Sequence, residues 1–421
     1  MKFFNSYSLN FAKLVGGTAG AQVISFITLP ILTRMYSVGD FGVQALYMSI
    51  ASILVIVVTG RYELAILLPK DDEDSFALVI LVLVIAALGC VGIEIVSFIG
   101  SQWLAEILQS KDISSWLLFL SFTIFVQVNY NVWYTWLNRN RAYNMMSRMA
   151  MISSLCNFWA AFLYGYYTNA DGHGLLLNTF AGLLICTLYM LYYCRKKDIL
   201  PLNSISIKRI MGMMRRYKRF PRYLVVGHIL NVGSTQLPVF ILQGIGGQAL
   251  VGLFSMVQKI LQIPISLIGS AMGNVFIREA SEVWQKSKNC WSIYNRTMKL
   301  LLLLGIVPFT VLFIGASDLL PLFLGEKWRD AGIYIAYLCP MFYMSFVSSP
   351  LSSMFTITEK LKMDLCVQIV RCVLVYASMM GAFYLVGTTD GVLIGYGAAF
   401  TIFYIWNMML TMKWAKGESY F

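Results

Sequence analysis

Apolar runs near 20 residues, the length that roughly 30 Å of hydrocarbon requires at 1.5 Å rise per residue, recur twelve times along the chain. They fall at 12–33, 42–60, 75–99, 113–137, 148–167, 175–194, 223–245, 250–275, 297–315, 333–355, 365–386 and 392–412. Charged residues gather in the connections. The pattern predicts an all-α integral membrane protein with twelve transmembrane helices. The first run is long and is followed by eleven more, so it reads as a helix and not as a secretory signal.

Polar residues inside these runs recur at helical spacing. The eighth run carries Ser255, Lys259, Gln262, Ser266 and Ser270, which share one face. The first has Thr18, Gln22 and Ser25, and the fourth has Gln127, Asn131, Thr135 and Asn138. Asn231, Thr235 and Gln236 precede Pro238 in the seventh, and Ser345, Ser349, Ser352 and Thr356 mark the tenth. Lipid satisfies no hydrogen bonds, so such stripes face protein or water. Two readings stay open: hydrogen bonds between packed helices, or the wall of a hydrated cavity.

Lys259 bears on that choice. It lies about nine residues, or about 14 Å, from the outer end of its run, and burying a lysine near mid-bilayer costs at least about 2.5–3.5 kcal/mol. No aspartate or glutamate sits at matching depth on the same run. An anionic substrate is therefore a candidate partner. Pro264 and the glycines Gly269 and Gly273 suit a helix that bends.

The two halves of the chain echo each other. Leu29-Pro30 precedes Gly39 at the spacing with which Leu237-Pro238 precedes Gly247, and Asp171-Gly172 opens the sixth run as Asp390-Gly391 opens the twelfth. A parallel repeat follows, because each half holds an even number of helices. The predicted organisation is an N-terminal lobe over 1–194, a basic linker over 195–222 and a C-terminal lobe over 223–421, two six-helix lobes around a central cavity.

Charge then orients the chain. Of 32 lysines and arginines, 27 fall in the connections or in the flanking ends of the runs on one face and four (Arg34, Lys111, Lys327 and Arg329) on the other, with Lys259 deep inside a run. The positive-inside rule puts the 27, and both termini, in the cytoplasm. With 58% hydrophobic and 12% charged residues, against about 25% charged in a soluble domain, the net charge of +12 reads as a topology signal and an attraction to membrane lipid, not as nucleic-acid binding. Eight cysteines without a Cys-x-x-Cys pair and two isolated histidines predict neither disulfides nor a metal site, and no cofactor is expected.

Arg61-Tyr62-Glu63 interrupts an apolar stretch that resumes at Leu64. Arg61 is either an anchor at a helix end or an anion-binding group at an inward mouth, with Glu63 as its partner or as a proton carrier. Glu94 in the third run is the other candidate for ion coupling. Asp71, Asp72, Glu73 and Asp74 precede the third run and favour its N-terminal dipole.

Several segments, taken in order, resemble bacterial O-antigen flippases, the polysaccharide repeat-unit translocases of the multidrug/oligosaccharidyl-lipid/polysaccharide exporter superfamily. They are Thr33-Arg34 with Gly39-Asp40-Phe41-Gly42, Arg61-Tyr62-Glu63 through Leu68-Pro69-Lys70-Asp71, and Trp136-Leu137-Asn138-Arg139. Phe220-Pro221-Arg222-Tyr223, Gln236-Leu237-Pro238, Pro264 to Gly269 and Gly325-Glu326-Lys327-Trp328-Arg329-Asp330-Ala331-Gly332 continue it. The resemblance implies a multi-pass protein of the bacterial inner membrane. Its task would be to move an undecaprenyl-diphosphate-linked oligosaccharide from the cytoplasmic to the periplasmic leaflet by alternating access.

It also implies that Lys259 and Arg61 hold the diphosphate, while the polar stripes make Gln22, Gln127, Asn131, Asn231, Gln236 and Gln262 the candidates to line the cavity. A polysaccharide polymerase and a chain-length regulator are the implied protein partners. The alternatives are a multidrug or cation antiporter of the same fold, which needs a carboxylate-rich cavity, and a membrane polysaccharide polymerase. A polymerase would carry a large external loop, whereas the longest here are about 17 residues by the same span limits.

Overall fold

The computed structural model describes the backbone of residues 2–110, 112–168, 170–201 and 206–417, and side chains from Gly16 onward except those of Tyr223 and Leu361. Lys111, placed above in a connection, and the side chains of Lys2 and Lys13, counted among the 27 on the cytoplasmic face, lie outside the described residues. All described elements are helical. Among the described residues, nine segments are long and apolar enough to cross a membrane. One of them, Val225–Ser287, is broken at Gly247, whose φ of 69° and ψ of −166° no helix accommodates. That break, together with α5 and α6 below, whose polar residues dilute their hydropathy, brings the long helices to the expected twelve.

Two compact units divide the chain. The first comprises Met1–Gly233 and Gly247–Ala249. Its helices are α1 (Lys2–Met35), α2 (Val38–Thr59), α3 (Asp72–Ile107), α4 (Ile113–Leu117), α5 (Leu120–Arg139), α6 (Tyr143–Tyr167), α7 (His173–Lys196) and α8 (Ile207–Arg216), with a 3-10 turn over Tyr62–Leu67. α1 packs on α6 and α6 on α7, while α5 lies against both α3 and α7. The fourth apolar run is thus two helices, α4 and α5, with Leu118 and Phe119 between them.

Small residues let these helices approach closely. Tyr36 donates its hydroxyl to the Ala161 carbonyl at 2.8 Å, and a Cβ added at Gly174 would stand 1.8 Å from that hydroxyl oxygen. The joint between α1 and α2 is closed by a capping box in which Ser37 and Asp40 each accept from the other's backbone N–H. In the second half the corresponding bend uses the positive φ of Gly247 instead. His173 pairs with Asp171 at 3.3 Å and approaches Ser115 at 3.2 Å, tying α7 to α4.

The acidic cluster before α3 does more than favour a helix dipole. Asp71 makes no side-chain capping bond. Asp72 pairs with Arg139, and Glu73 and Asp74 both pair with Arg209 of α8. The same Arg139 donates to the carbonyls of Pro69 at 2.8 Å and Lys70 at 3.1 Å. Two motifs far apart in sequence are therefore one clamp: the guanidinium's planar array of donors satisfies a loop whose carbonyls no helix ladder uses.

The second unit comprises Ser234–Gly246 and Leu250–Phe421. It is entered by α9 (Val225–Pro264), which continues through a π segment (Ile265–Gly269) into α10 (Ser270–Ser287). Then follow α11 (Trp291–Leu324), α12 (Arg329–Leu351), α13 (Met354–Ile357), α14 (Leu361–Val386) and α15 (Thr389–Ala415). α12 packs between α11 and α15, and α14 lies on α15. The Gly325–Gly332 motif forms the joint of α11 and α12. Gly325 takes φ 106°, Trp328 is fully buried, and a Cβ at Gly332 would meet Ser317 Cα at 2.6 Å.

Candidate functional site

In the first unit the site begins where α2 ends. Gly60 and Arg61 both take left-handed backbone, with φ of 55° and 59°. For glycine this is free, whereas for arginine it costs on the order of 1–2 kcal/mol. The turn is held by the Gly60 N–H on the Val57 carbonyl at 3.3 Å and by the Arg61 N–H on Thr59 Oγ1 at 3.3 Å. Its effect is to fold the Arg61 side chain back toward α2 and α5.

Arg61 there pairs with Glu63, Nη1 to Oε1, at 3.0 Å, their side chains 19% and 9% exposed. Each keeps one buried polar atom without a hydrogen-bond partner, Arg61 Nε and Glu63 Oε2. Such orphaned atoms are uncommon in folded proteins and call for an explanation. Arg61 lines a pocket of about 230 Å³ with Ser52, Thr123, Gln127 and Asn131. Gln127 donates to Asn131 at 3.1 Å, and Thr123 shares a 2.6 Å hydrogen bond with Tyr47. The pocket therefore offers one cation and several neutral dipoles, which suits an anion with polar substituents.

In the second unit Lys259 stands on α9 beyond the break at Gly247, its side chain exposed while Val257, Ile260 and Leu261 around it are buried. Gln262, one turn further on, opens a second pocket of about 310 Å³, shared with Ser266, Ser270, Asn274, Ser349 and Ser353. The polar stripe of the eighth run and part of that of the tenth thus meet on the same wall.

The remaining expected residues fall elsewhere. Glu94 accepts a hydrogen bond from Ser121, joining α3 to α5. In α1, Gln22 is exposed, and Ser25 of the same stripe bonds Ser154 of α6 at 2.7 Å. Asn231, exposed, belongs to the first unit, and Gln236, half-buried, to the second. Arg61, Gln127 and Asn131, singled out separately from the sequence, are brought together by the structure. Periodicity missed Ser52, which carries no spacing signal, and also Thr123 and Asn274, which do: four residues before Gln127 and four past Ser270, each extends its stripe by one step.

The sequence profile described as "Polysaccharide biosynthesis protein" matches residues 31–332. Among curated proteins, the succinoglycan biosynthesis transport protein ExoT of Rhizobium meliloti (strain 1021) is 23% identical over 337 residues. That alignment covers 76% of this chain but 64% of ExoT, so the chain spans less than two thirds of that relative's length.

Solved structures share the fold. The lipid II flippase MurJ in an inward closed conformation superposes with a TM-score of 0.66 at 14% identity, covering 98% of this chain and 87% of its own. The MATE multidrug transporter DinF-BH gives 0.66 at 15%, covering 98% and 96%. A mutant of the Vibrio cholerae MATE transporter VcmN gives 0.64 at 14%, covering 97% and 95%. The fold is the all-helical membrane architecture of these transporters.

Proposed function

The chain belongs to the polysaccharide biosynthesis protein family, and on that premise we propose that it is a flippase. Its cargo is an oligosaccharide unit linked to undecaprenyl diphosphate, moved from the cytoplasmic to the periplasmic leaflet by alternating access. The pocket at Arg61 carries this reading: a guanidinium held in strained backbone, beside neutral hydrogen-bonding groups, is suited to a diphosphate. Lys259, on the second unit, is the other cation proposed for the diphosphate. The lipid tail stays in the bilayer while the polar head crosses.

Glu63 competes with the diphosphate for Arg61. Displacement of Glu63 frees the guanidinium for the diphosphate, and departure of the cargo restores the pair. A drug-exporting pump of this fold would present unengaged carboxylates to a cationic drug. Here the charge of Glu63 is offset by Arg61, and Glu94, which accepts from the neutral Ser121 hydroxyl, lines neither of the two pockets described. Cation export is accordingly the weaker reading.

A chromosomal deletion tests the function. Loss of a flippase leaves complete lipid-linked units facing the cytoplasm. Loss of a polymerase instead exports single units, and loss of a drug pump changes drug tolerance alone. Either of the last two outcomes overturns the proposal.

A further inference from the structure

The pocket of about 310 Å³ in the second unit differs in chemistry from the one at Arg61. Its polar wall is made of two carboxamides, Gln262 and Asn274, and four hydroxyls, from Ser266, Ser270, Ser349 and Ser353; no charged side chain lines it. Ser266 and Ser270 spend their protons on the carbonyls of their own helix, at Ile263 and Ser266. Among the described residues, the carboxamides of Gln262 and Asn274 and the hydroxyls of Ser349 and Ser353 donate to no protein group, so both amide donors and both hydroxyl protons face the pocket. Ile265, Ile277 and Pro350 complete the lining with apolar surface.

Lipid cannot be the occupant of such a wall, because hydrocarbon pairs with none of these donors and acceptors. Interhelical bonding does not consume them either. The backbone here also departs from a regular helix: after Pro264 the chain widens into a π segment over Ile265–Gly269, an irregularity that recurs at functional sites. Gly269 and Gly273 line the same cavity, and a Cβ at either would make only ordinary contacts, the nearest at 3.7 and 3.6 Å. Glycine is not required there by packing. What its absent side chain does is leave volume.

Amide and hydroxyl groups set around an apolar floor match the two faces of a sugar ring, hydroxyls at the rim and C–H groups on the plane. We propose that this pocket is a saccharide subsite, taking a neutral, polyhydroxylated residue of the translocated headgroup. Acidic sugars are disfavoured, since the lining offers no cation. This rests on the flippase reading and adds to it a place where the cargo's sugar, as distinct from its phosphate, is recognised.

The test compares two probes on purified protein: undecaprenyl diphosphate, and the lipid-linked repeat unit extracted from the deletion strain. The wild type binds the sugar-bearing lipid about tenfold more tightly, the equivalent of one or two hydrogen bonds. Asn274→Ala and Gln262→Ala lose that increment and keep their affinity for undecaprenyl diphosphate. Ser353→Ala, on the facing wall, shows the same loss where a variant on α9 or α10 fails to fold. Equal affinity of the wild type for both lipids, or variants that keep the increment, overturns the subsite and leaves the flippase reading standing. A wild type that binds neither lipid removes both.

Discussion

Arg61 and Glu63 are two residues apart, and the left-handed turn at Gly60 and Arg61 closes their side chains into an ion pair of 3.0 Å. In an extended chain, residues i and i+2 point to the same side but without this convergence. The pair exists because the backbone accepts strain at Arg61, and strain of this kind is retained where the surroundings over-determine it.

If Glu63 competes with the diphosphate, Glu63→Gln tightens binding of undecaprenyl diphosphate by about tenfold, the loss of roughly one charged competitor. Arg61→Ala abolishes binding, and Arg61→Lys, a point charge without the planar fork, retains part of it. Affinity measurements on the three purified variants check the order. Unchanged or weaker binding by Glu63→Gln removes the competition.

Lys259→Ala blocks export of surface polysaccharide while leaving the amount of protein in the membrane unchanged, because the side chain is exposed whereas its neighbours Val257, Ile260 and Leu261 form the buried face. Lys259→Arg restores part of the export. Complementation of the deletion strain, scored against membrane protein level, decides it, and normal polysaccharide with Lys259→Ala takes the residue out of the site.

Arg139→Ala removes the clamp on the segment before α3. Losing charge-assisted hydrogen bonds to Pro69 and Lys70 costs on the order of 2 kcal/mol. The expected result is a lower melting temperature in detergent and faster proteolysis between residues 62 and 72. A cleavage pattern identical to wild type assigns those carbonyls to other donors.

Gly174→Ala forces a methyl into the space of the Tyr36 hydroxyl and depletes folded protein. Overpacking of this kind costs typically about 1–3 kcal/mol. Adding Tyr36→Leu to Gly174→Ala recovers part of the loss. A double variant no better than the single one locates the strain elsewhere.

On a cysteine-free background, Lys208→Cys reacts with a membrane-impermeant maleimide only after the inner membrane is opened. Lys327→Cys reacts in intact spheroplasts. The reverse labelling inverts the orientation derived from the lysines and arginines.

Among the similar proteins, shared fold does not separate flippase from drug pump, since the lipid II flippase and the multidrug transporters superpose about equally well. Discrimination falls to the side chains of the pockets, which fold-level likeness leaves undetermined.

Hydrophobic runs near 20 residues fixed the fold class and the number of long helices, because the thickness of a bilayer leaves a chain few other solutions. The same logic made the stripe from Ser255 to Ser270 legible, since helical spacing places those residues on one face whatever surrounds them. What the pattern could not supply was the meeting of residues distant in sequence. Gln127 and Asn131 became neighbours of Arg61 only through the left-handed turn after α2 and the packing of α5 beside it. That Ser121 of α5 donates to Glu94 of α3 was likewise a matter of tertiary packing alone. Periodicity is a local property of one helix, whereas a pocket is formed by several, and their register depends on contacts such as Tyr36 against Gly174 that no single segment contains.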